Sequence, residues 1–503
     1  MTEMTKKSLL PAVALVVALV PPGRATAHDW PQWKGPERDN RSRETGLLKE
    51  WPEGGPKRLW VSPVDLGKGY STVAIADGTI YTTGLVGDEE YLFALDMDGE
   101  LKWKQSYGRG YTRSYESSRS TPTVDGDRVY VISGNCNVAC FTTDGKPDWT
   151  VDAMERFDGR NITWGIAESP LIVGDKVICT PGGKNAGMAA LDKKTGETAW
   201  VTRELSDKSA YCSPRSIERG DRQLIVTAMS DHVVGVDAET GKLLWKHPYR
   251  NGVRAHPNTP LYSDGMLYFT SGYDYKGVML ELNEDGTAVR QVWEDKTLDT
   301  HHGGVVRVDG CIYGASWRGN SNGNWVCLEW ATGEPLWEQR WINKGSITYA
   351  DGMLYCYEER RGTLGLVQAS PEGFELVSSF RIDEGSGKHW AHPVISDGRL
   401  YIRHGEVLMC FDIRGEDFDP ANDDAEEAAA REEAEPTRAH EDEIADAAAG
   451  AAEGRAQAKL GLARSYLKMR MEAKAVETLN AILAEYPDTK AAAEAREKLA
   501  ELE

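Results

Sequence analysis

Five of the ten histidines of this chain sit in short segments that also carry a Pro or Gly: His256, His301 with His302, and His389 with His392. Asn258, Arg119, Trp164 and Glu168 lie in segments of the same kind. Neutral imidazoles suit zinc, copper or nickel, so His302, His392 and His256 form a candidate transition-metal set if folding gathers them. Arg119 and Glu168, with Trp164 or Trp390 as a stacking face, form a candidate site for an anionic or sugar-like small molecule. On an extended segment, neighbouring His301 and His302 point to opposite sides, so at most one of them faces a common centre. The competing expectation is that these polar residues cap strands and bind water. HExxH and CxxCH are absent, and no spaced Ser, His and Asp set is present, so no catalytic residue is assigned. Gly182 and Gly183 do not introduce a helix and read as a turn, and His232, His247 and His404 read as surface residues in or beside strands.

The elements that must position these residues come from a repeat. VDAETGKLLW (Val236 to Trp245) returns as LDKKTGETAW (Leu191 to Trp200), LEWATGEPLW (Leu328 to Trp337) and ALDMDGELKW (Ala94 to Trp103), with weaker copies ending at Trp149 and Trp293. Asp237 can accept from the turn's backbone NH groups, Gly241 supplies a positive φ, and the run to Trp245 is a strand. Counting this Trp position gives 60, 103, 149, 200, 245, 293, 337 and, with Phe in its place, 380. The last repeat, Lys388 to Asp412, lacks a closing aromatic strand, and the orphan strand Lys57 to Val61 supplies one. An all-β, eight-bladed β-propeller follows, closed by its first strand so that no sheet edge is left open. Seven blades is the alternative if the stretch around Phe380 is a loop insertion. In such a ring the segments opening each repeat lead into the innermost strands, so the candidate residues meet at one mouth of a central channel.

Composition agrees with a β-rich ring: 503 residues hold 51 Gly, 16 Trp and 20 Tyr. Lys6 and Lys7, the apolar run Leu9 to Val20 and Ala25-Thr26-Ala27 read as a signal peptide over 1–27, with maturation at His28 and a periplasmic or secreted destination. No Cys follows the cleavage point to carry a lipid, and no stretch is long enough for a transmembrane helix. An N-terminal arm (28–56), the propeller (57–415), an acidic linker (416–454) and a helical module (455–503) complete the organisation. The net charge is −21, which argues against nucleic acid as a partner. The eight Cys read as buried free thiols, with Cys311 and Cys327 the pair nearest to bonding.

The LDxxTGxxxW core with its SP or TP openings resembles the quinoprotein (PQQ-type) propeller repeat, over roughly Leu59 to Arg414. That resemblance implies either a dehydrogenase holding pyrroloquinoline quinone and calcium in the funnel, or a cofactor-free propeller of the BamB type. The dehydrogenases carry adjacent cysteines, whereas the nearest pair here is Cys136 and Cys140. Where they need an acidic calcium ligand, the turn Pro181 to Asp192 has Lys184 and Asn185. The expectation is therefore a cofactor-free binding or assembly scaffold, with a quinoprotein alcohol dehydrogenase-like oxidoreductase or a metal-binding propeller as alternatives. Leu462, Ala463, Tyr466, Ala475, Leu479 and Pro487 resemble a single tetratricopeptide repeat, which implies a protein partner bound there or on a propeller face.

Overall fold

A computed structural model describes residues 29–419 apart from residue 321, together with Leu460, 472–487 and 489–502. Among the described residues, thirty-two strands form eight four-stranded antiparallel sheets. Blades 1 to 7 span Ala74–Arg109, Thr123–Asp152, Leu171–Val201, Arg215–Pro248, Leu261–Asp295, Thr300–Gln339 and Gly345–Arg381. Blade 8 combines Val394–Asp412 with Lys57–Val61, whose Trp60 lies opposite Cys410 and whose Val61 lies opposite Met409.

Strand alternation builds the core between blades. In blade 2, Val129 and Val131 pack towards Tyr81, Leu92 and Ala94 of blade 1, while Tyr130 and Ile132 pack towards Val177, Cys179 and Leu191 of blade 3. The strand Arg128–Ile132 thus buries both faces. All eight cysteines are buried free thiols in these layers.

The repeated Trp joins one blade to the next. The indole NH groups of Trp60, Trp103, Trp149, Trp200 and Trp337 donate to the carbonyls of Met97, Thr143, Lys193, Ala238 and Ser370, each in the following blade, at 2.9 to 3.1 Å. The turn glycine of that blade lies flat on the ring: a Cβ on Gly241, at φ 71°, would stand 2.4 Å from Trp200. Asp237 holds the turn by accepting from the Thr240 backbone at 2.9 Å and the Thr240 hydroxyl at 2.6 Å.

Blade 7 corrects one sequence assignment. The residue at the Trp position is Ser378, opposite Leu366, whereas Phe380 lies opposite Leu364. The site is filled from outside the repeat by Trp51 of the arm, whose backbone NH donates to Ser378 Oγ at 3.0 Å. A Trp count along the chain assumes that each blade supplies its own, and this one does not.

The C-terminal helices α1 (Glu472–Glu485) and α2 (Lys490–Leu502) belong to a separate compact unit and pack Leu479 and Ile482 with Ala491, Ala492 and Ala495. Ala475, Leu479 and Pro487 of the tetratricopeptide pattern fall here, while Leu462, Ala463 and Tyr466 lie outside the described residues. So do the signal segment 1–27, His28 and residues 420–454 of the acidic stretch. Among the described residues no helix is long and apolar enough to cross a membrane.

Candidate functional site

Aromatic contacts show where the openings converge. Trp390, before blade 8, lies 4.7 Å from the Tyr70 ring, 5.2 Å from Tyr115 and 4.7 Å from His302. His301 lies 4.6 Å from Tyr273 of blade 5, and Trp164 lies 5.8 Å from Tyr211. These residues precede or belong to different blades, so they ring one mouth of the channel.

The channel below this mouth is filled by the chain's own arm. Trp30 exchanges backbone hydrogen bonds with Ile75 of blade 1, and Pro31 accepts from Val124 of blade 2. Arg38 donates to the carbonyls of Pro170 and Pro214, which lead into blades 3 and 4, and Trp33 Nε1 donates to Thr259 Oγ1, before blade 5, at 3.0 Å. A Cβ on Gly304 in blade 6 would meet Lys34 Nζ at 2.9 Å. Asn40 and Ser42 bond to Ile347 and Tyr349 of blade 7, and Glu44 accepts from Asp397 and Gly398 of blade 8. A segment of fifteen residues, 30 to 44, that reaches all eight blades has to lie inside the ring, against the inner strands. Its cations are buried, and burial lowers Lys34 to about 8 and Arg38 to about 9. The Pro and Gly density of 29–56 reads as an extended arm, and nothing in it signals where the arm lies.

Several predicted site residues are committed to the fold. Glu168 accepts from the Thr180 backbone at 2.7 Å and the Thr180 hydroxyl at 2.5 Å, and burial raises its carboxyl to about 7. Asn258 joins blades 5 and 6 by donating to Thr270, Thr300 and His301 carbonyls and accepting from the Gly304 NH. Arg119 donates to the carbonyls of Ser114, Tyr115 and Ser117 and shapes its own loop, with its guanidinium 5.5 Å over the Tyr111 ring. Of the mouth residues, Trp164 remains half-buried, with its backbone NH donating to Tyr211 Oη at 2.8 Å.

The histidines do not form one set. His392 donates from Nε2 to the His302 carbonyl at 2.9 Å and faces Asn40 at Nδ1, 3.4 Å away. His389 bonds to Tyr357 Oη at 2.6 Å and stacks on His404, 3.7 Å away and 6% exposed, so His404 is an interior residue rather than a surface one. His256 is buried against Tyr249, 4.9 Å away. Burial lowers His392, His301 and His389 to about 3 and His256 to about 4 and holds His302 well below the usual range. Among the described residues, no group of three or more His, Cys, Asp or Glu stands ready to hold a metal, so His256, His302 and His392 are not assembled as ligands. His301 and His302 also depart from strand alternation, since their rings lie side by side at 4.3 Å. The pairing of blade 6 jumps from Thr300–Ser316 to Val305–Gly314, and this bulge, with Gly304 at φ 75°, swings both rings to one side.

Sequence reasoning missed two features of the mouth. Beneath His302 and Trp390 lies a buried ion pair between Lys344 and Glu359, with His302 Nε2 3.6 Å from Glu359. Among the connections entering blades 2 to 5 opens a pocket of about 460 Å³ whose lining includes Arg113, Trp164, Lys208, Tyr211 and Arg254. Lys and Arg in loops are too common for either to stand out in the sequence.

Calcium does not fit these residues. Glu168 is spent on Thr180, Glu359 is paired with Lys344, and the Lys184–Asn185 turn presents a cation where a calcium ligand is needed.

Among known families, the profile described as outer membrane protein assembly factor BamB matches residues 52–155 and 88–320, more than half the chain. The outer membrane protein assembly factor BamB of Shewanella oneidensis is 23% identical over 378 residues, covering 62% of this chain and 88% of that protein. Quinohemoprotein alcohol dehydrogenase ADH-IIG of Pseudomonas putida is 31% identical over 154 residues, 28% of this chain and 20% of that enzyme. The crystal structure of BamB from Moraxella catarrhalis superposes with a TM-score of 0.52 at 17% identity, covering 71% of this chain and 97% of that one. The quinohemoprotein alcohol dehydrogenase of Comamonas testosteroni gives 0.57 at 14% identity, covering 77% and 81%. At these identities the two structures establish a shared fold.

Proposed function

We propose, on the premise that this chain belongs to the outer membrane protein assembly factor BamB family, that it is an exported propeller of the cell envelope acting as a binding or assembly scaffold without a redox cofactor. The observation that carries this reading is the plugged channel. Residues 30–44 lie inside the ring, against the inner strands, so a partner meets the mouth, the opposite face or the outer strands. The mouth offers exposed apolar side chains in Tyr115, Val253 and Ile342, at 51%, 42% and 42% exposure, on a rim that is otherwise polar. Rigid rings with a concave polar mouth present fixed loops to a partner at little ordering cost. A protein partner on this face, with a small-molecule ligand beside it, fits these features better than catalysis, since the buried Glu168 is bonded to Thr180 and Glu359 is paired with Lys344.

Photo-crosslinking in cells tests the reading. A benzophenone side chain replacing Tyr115 at the mouth, and another replacing Leu336 on an outer strand, should give a discrete envelope-protein adduct from at least one position. Absence of any adduct from both, or a cytoplasmic location on fractionation, overturns it.

A further inference from the structure

We propose that the pocket beside the mouth is a binding site for an acidic saccharide, held through its carboxylate or sulfate group by Arg113, Lys208 and Arg254 and through its ring face by Trp164. The inference rests on the mouth being a binding face and adds the chemistry of a ligand. The pocket is formed where the connections entering blades 2, 3, 4 and 5 come together, and its volume of about 460 Å³ falls in the range of small-molecule sites.

Charge gives the first argument. The whole chain carries −21, yet this lining holds three cations and no carboxylate. Arg254 keeps a distant partner, Asp231 at 3.6 Å, which leaves its guanidinium half-exposed. Cations gathered at a concave surface against the net charge of the protein focus a local positive potential on an anion.

Shape gives the second. Tyr211 Oη accepts from the Trp164 backbone, which fixes the two rings at 50° to each other as the walls of a corner, and the Tyr211 hydroxyl keeps its own proton to donate. An indole face beside hydroxyl and amide donors suits a pyranose, which presents CH groups on one face and hydroxyls around its edge.

Backbone conformation gives the third. Tyr211 at φ 71° and Arg254 at φ 57° both occupy the left-handed region, which non-glycine side chains adopt at a cost. Such conformations persist where the surroundings over-determine them, and they concentrate at ligand clamps. Two of them face one pocket here, each delivering a side chain the proposed ligand would touch.

The experiment titrates the full mature chain with a uronic acid disaccharide, a sulfated disaccharide of equal size and their neutral counterpart, following Trp fluorescence and heat. At least one acidic probe should bind saturably, with the neutral sugar about tenfold weaker or more. Whichever acidic probe binds tighter identifies the anionic group. Arg113→Gln with Lys208→Gln should weaken acidic binding by about tenfold with an unchanged melting temperature, and Trp164→Ala should remove the fluorescence response. Equal binding of the neutral sugar overturns the acidic assignment and leaves the mouth as a binding face. No binding of any probe, while the Tyr115 crosslink persists, overturns the saccharide inference and leaves the scaffold reading standing. Loss of both overturns both.

Discussion

Trp51 of the arm lies 5.9 Å, ring to ring, from Tyr355 of blade 7, the spacing at which Trp103 meets Tyr81 inside blade 1 and close to that of Trp149 and Tyr130 inside blade 2. The arm thus completes a blade it does not belong to. Trp51 also meets Phe380 edge-on at 5.0 Å and is 4% exposed. Trp51→Ala is expected to destabilise the propeller by about 3–5 kcal/mol through the cavity it leaves, as a core Trp does. Trp51→Phe should recover most of that. Equilibrium denaturation measures both, and an Ala variant that melts like the parent removes Trp51 from the core.

Arg38 anchors the plug through carbonyls on two blades. Arg38→Ala leaves the Pro214 carbonyl without its donor, at roughly 1–3 kcal/mol for whatever part stays dry, and leaves the Pro170 carbonyl with the Thr123 hydroxyl alone. Much of that cost can be escaped if the arm leaves the channel. The expected result is a small fall in melting temperature together with new protease cleavage between residues 29 and 44, which the parent resists. Equal resistance in the two proteins counts against the plug.

Two buried groups give stability opposite pH slopes. His256, against Tyr249, titrates near 4 when folded and 6.5 when unfolded, so the unfolded chain binds the extra proton between those values. Stability is therefore complete above about 6.5 and falls as pH drops towards 4, by up to about 3 kcal/mol for this residue. Glu168, faced by Thr180 and Arg38, is raised from 4.5 to about 7, so its contribution is complete below 4.5 and lost as pH rises through 7. Melting curves of His256→Asn should be flatter on the acid side, and those of Glu168→Gln flatter between 4.5 and 7. Unchanged slopes in both reject the assignment.

The Lys344–Glu359 pair is buried, with each side chain under a tenth exposed. Lys344→Met strands the carboxylate beneath Trp390 and should cost about 3–5 kcal/mol, whereas the double change with Glu359→Leu should recover much of it. A double-mutant cycle on the unfolding free energy measures the coupling. A loss in the double variant equal to the sum of the two single losses would show the two side chains acting independently.

The sequence by itself determined the ring. Asp237, Gly241 and Trp245 act within ten residues, through turn hydrogen bonds, a positive φ and one packed ring, so their recurrence carries the blade and its count without knowledge of contacts far away. The positions of Arg119, Trp164, Glu168 and Asn258 near the mouth follow from the same period. Their roles do not: Glu168 caps Thr180 and Asn258 ties blade 5 to blade 6 because of partners 12 to 46 residues away, and a polar side type looks alike whether it caps or binds. Tertiary structure alone placed the arm inside the ring, supplied Trp51 to a blade whose own residue is Ser378, turned His301 and His302 to one side through a bulge, and gathered Arg113, Lys208 and Arg254 around one pocket. Each of these is fixed by packing between segments distant in the chain. Local propensity sets what a segment becomes, and the closure of eight blades on one axis sets what it meets.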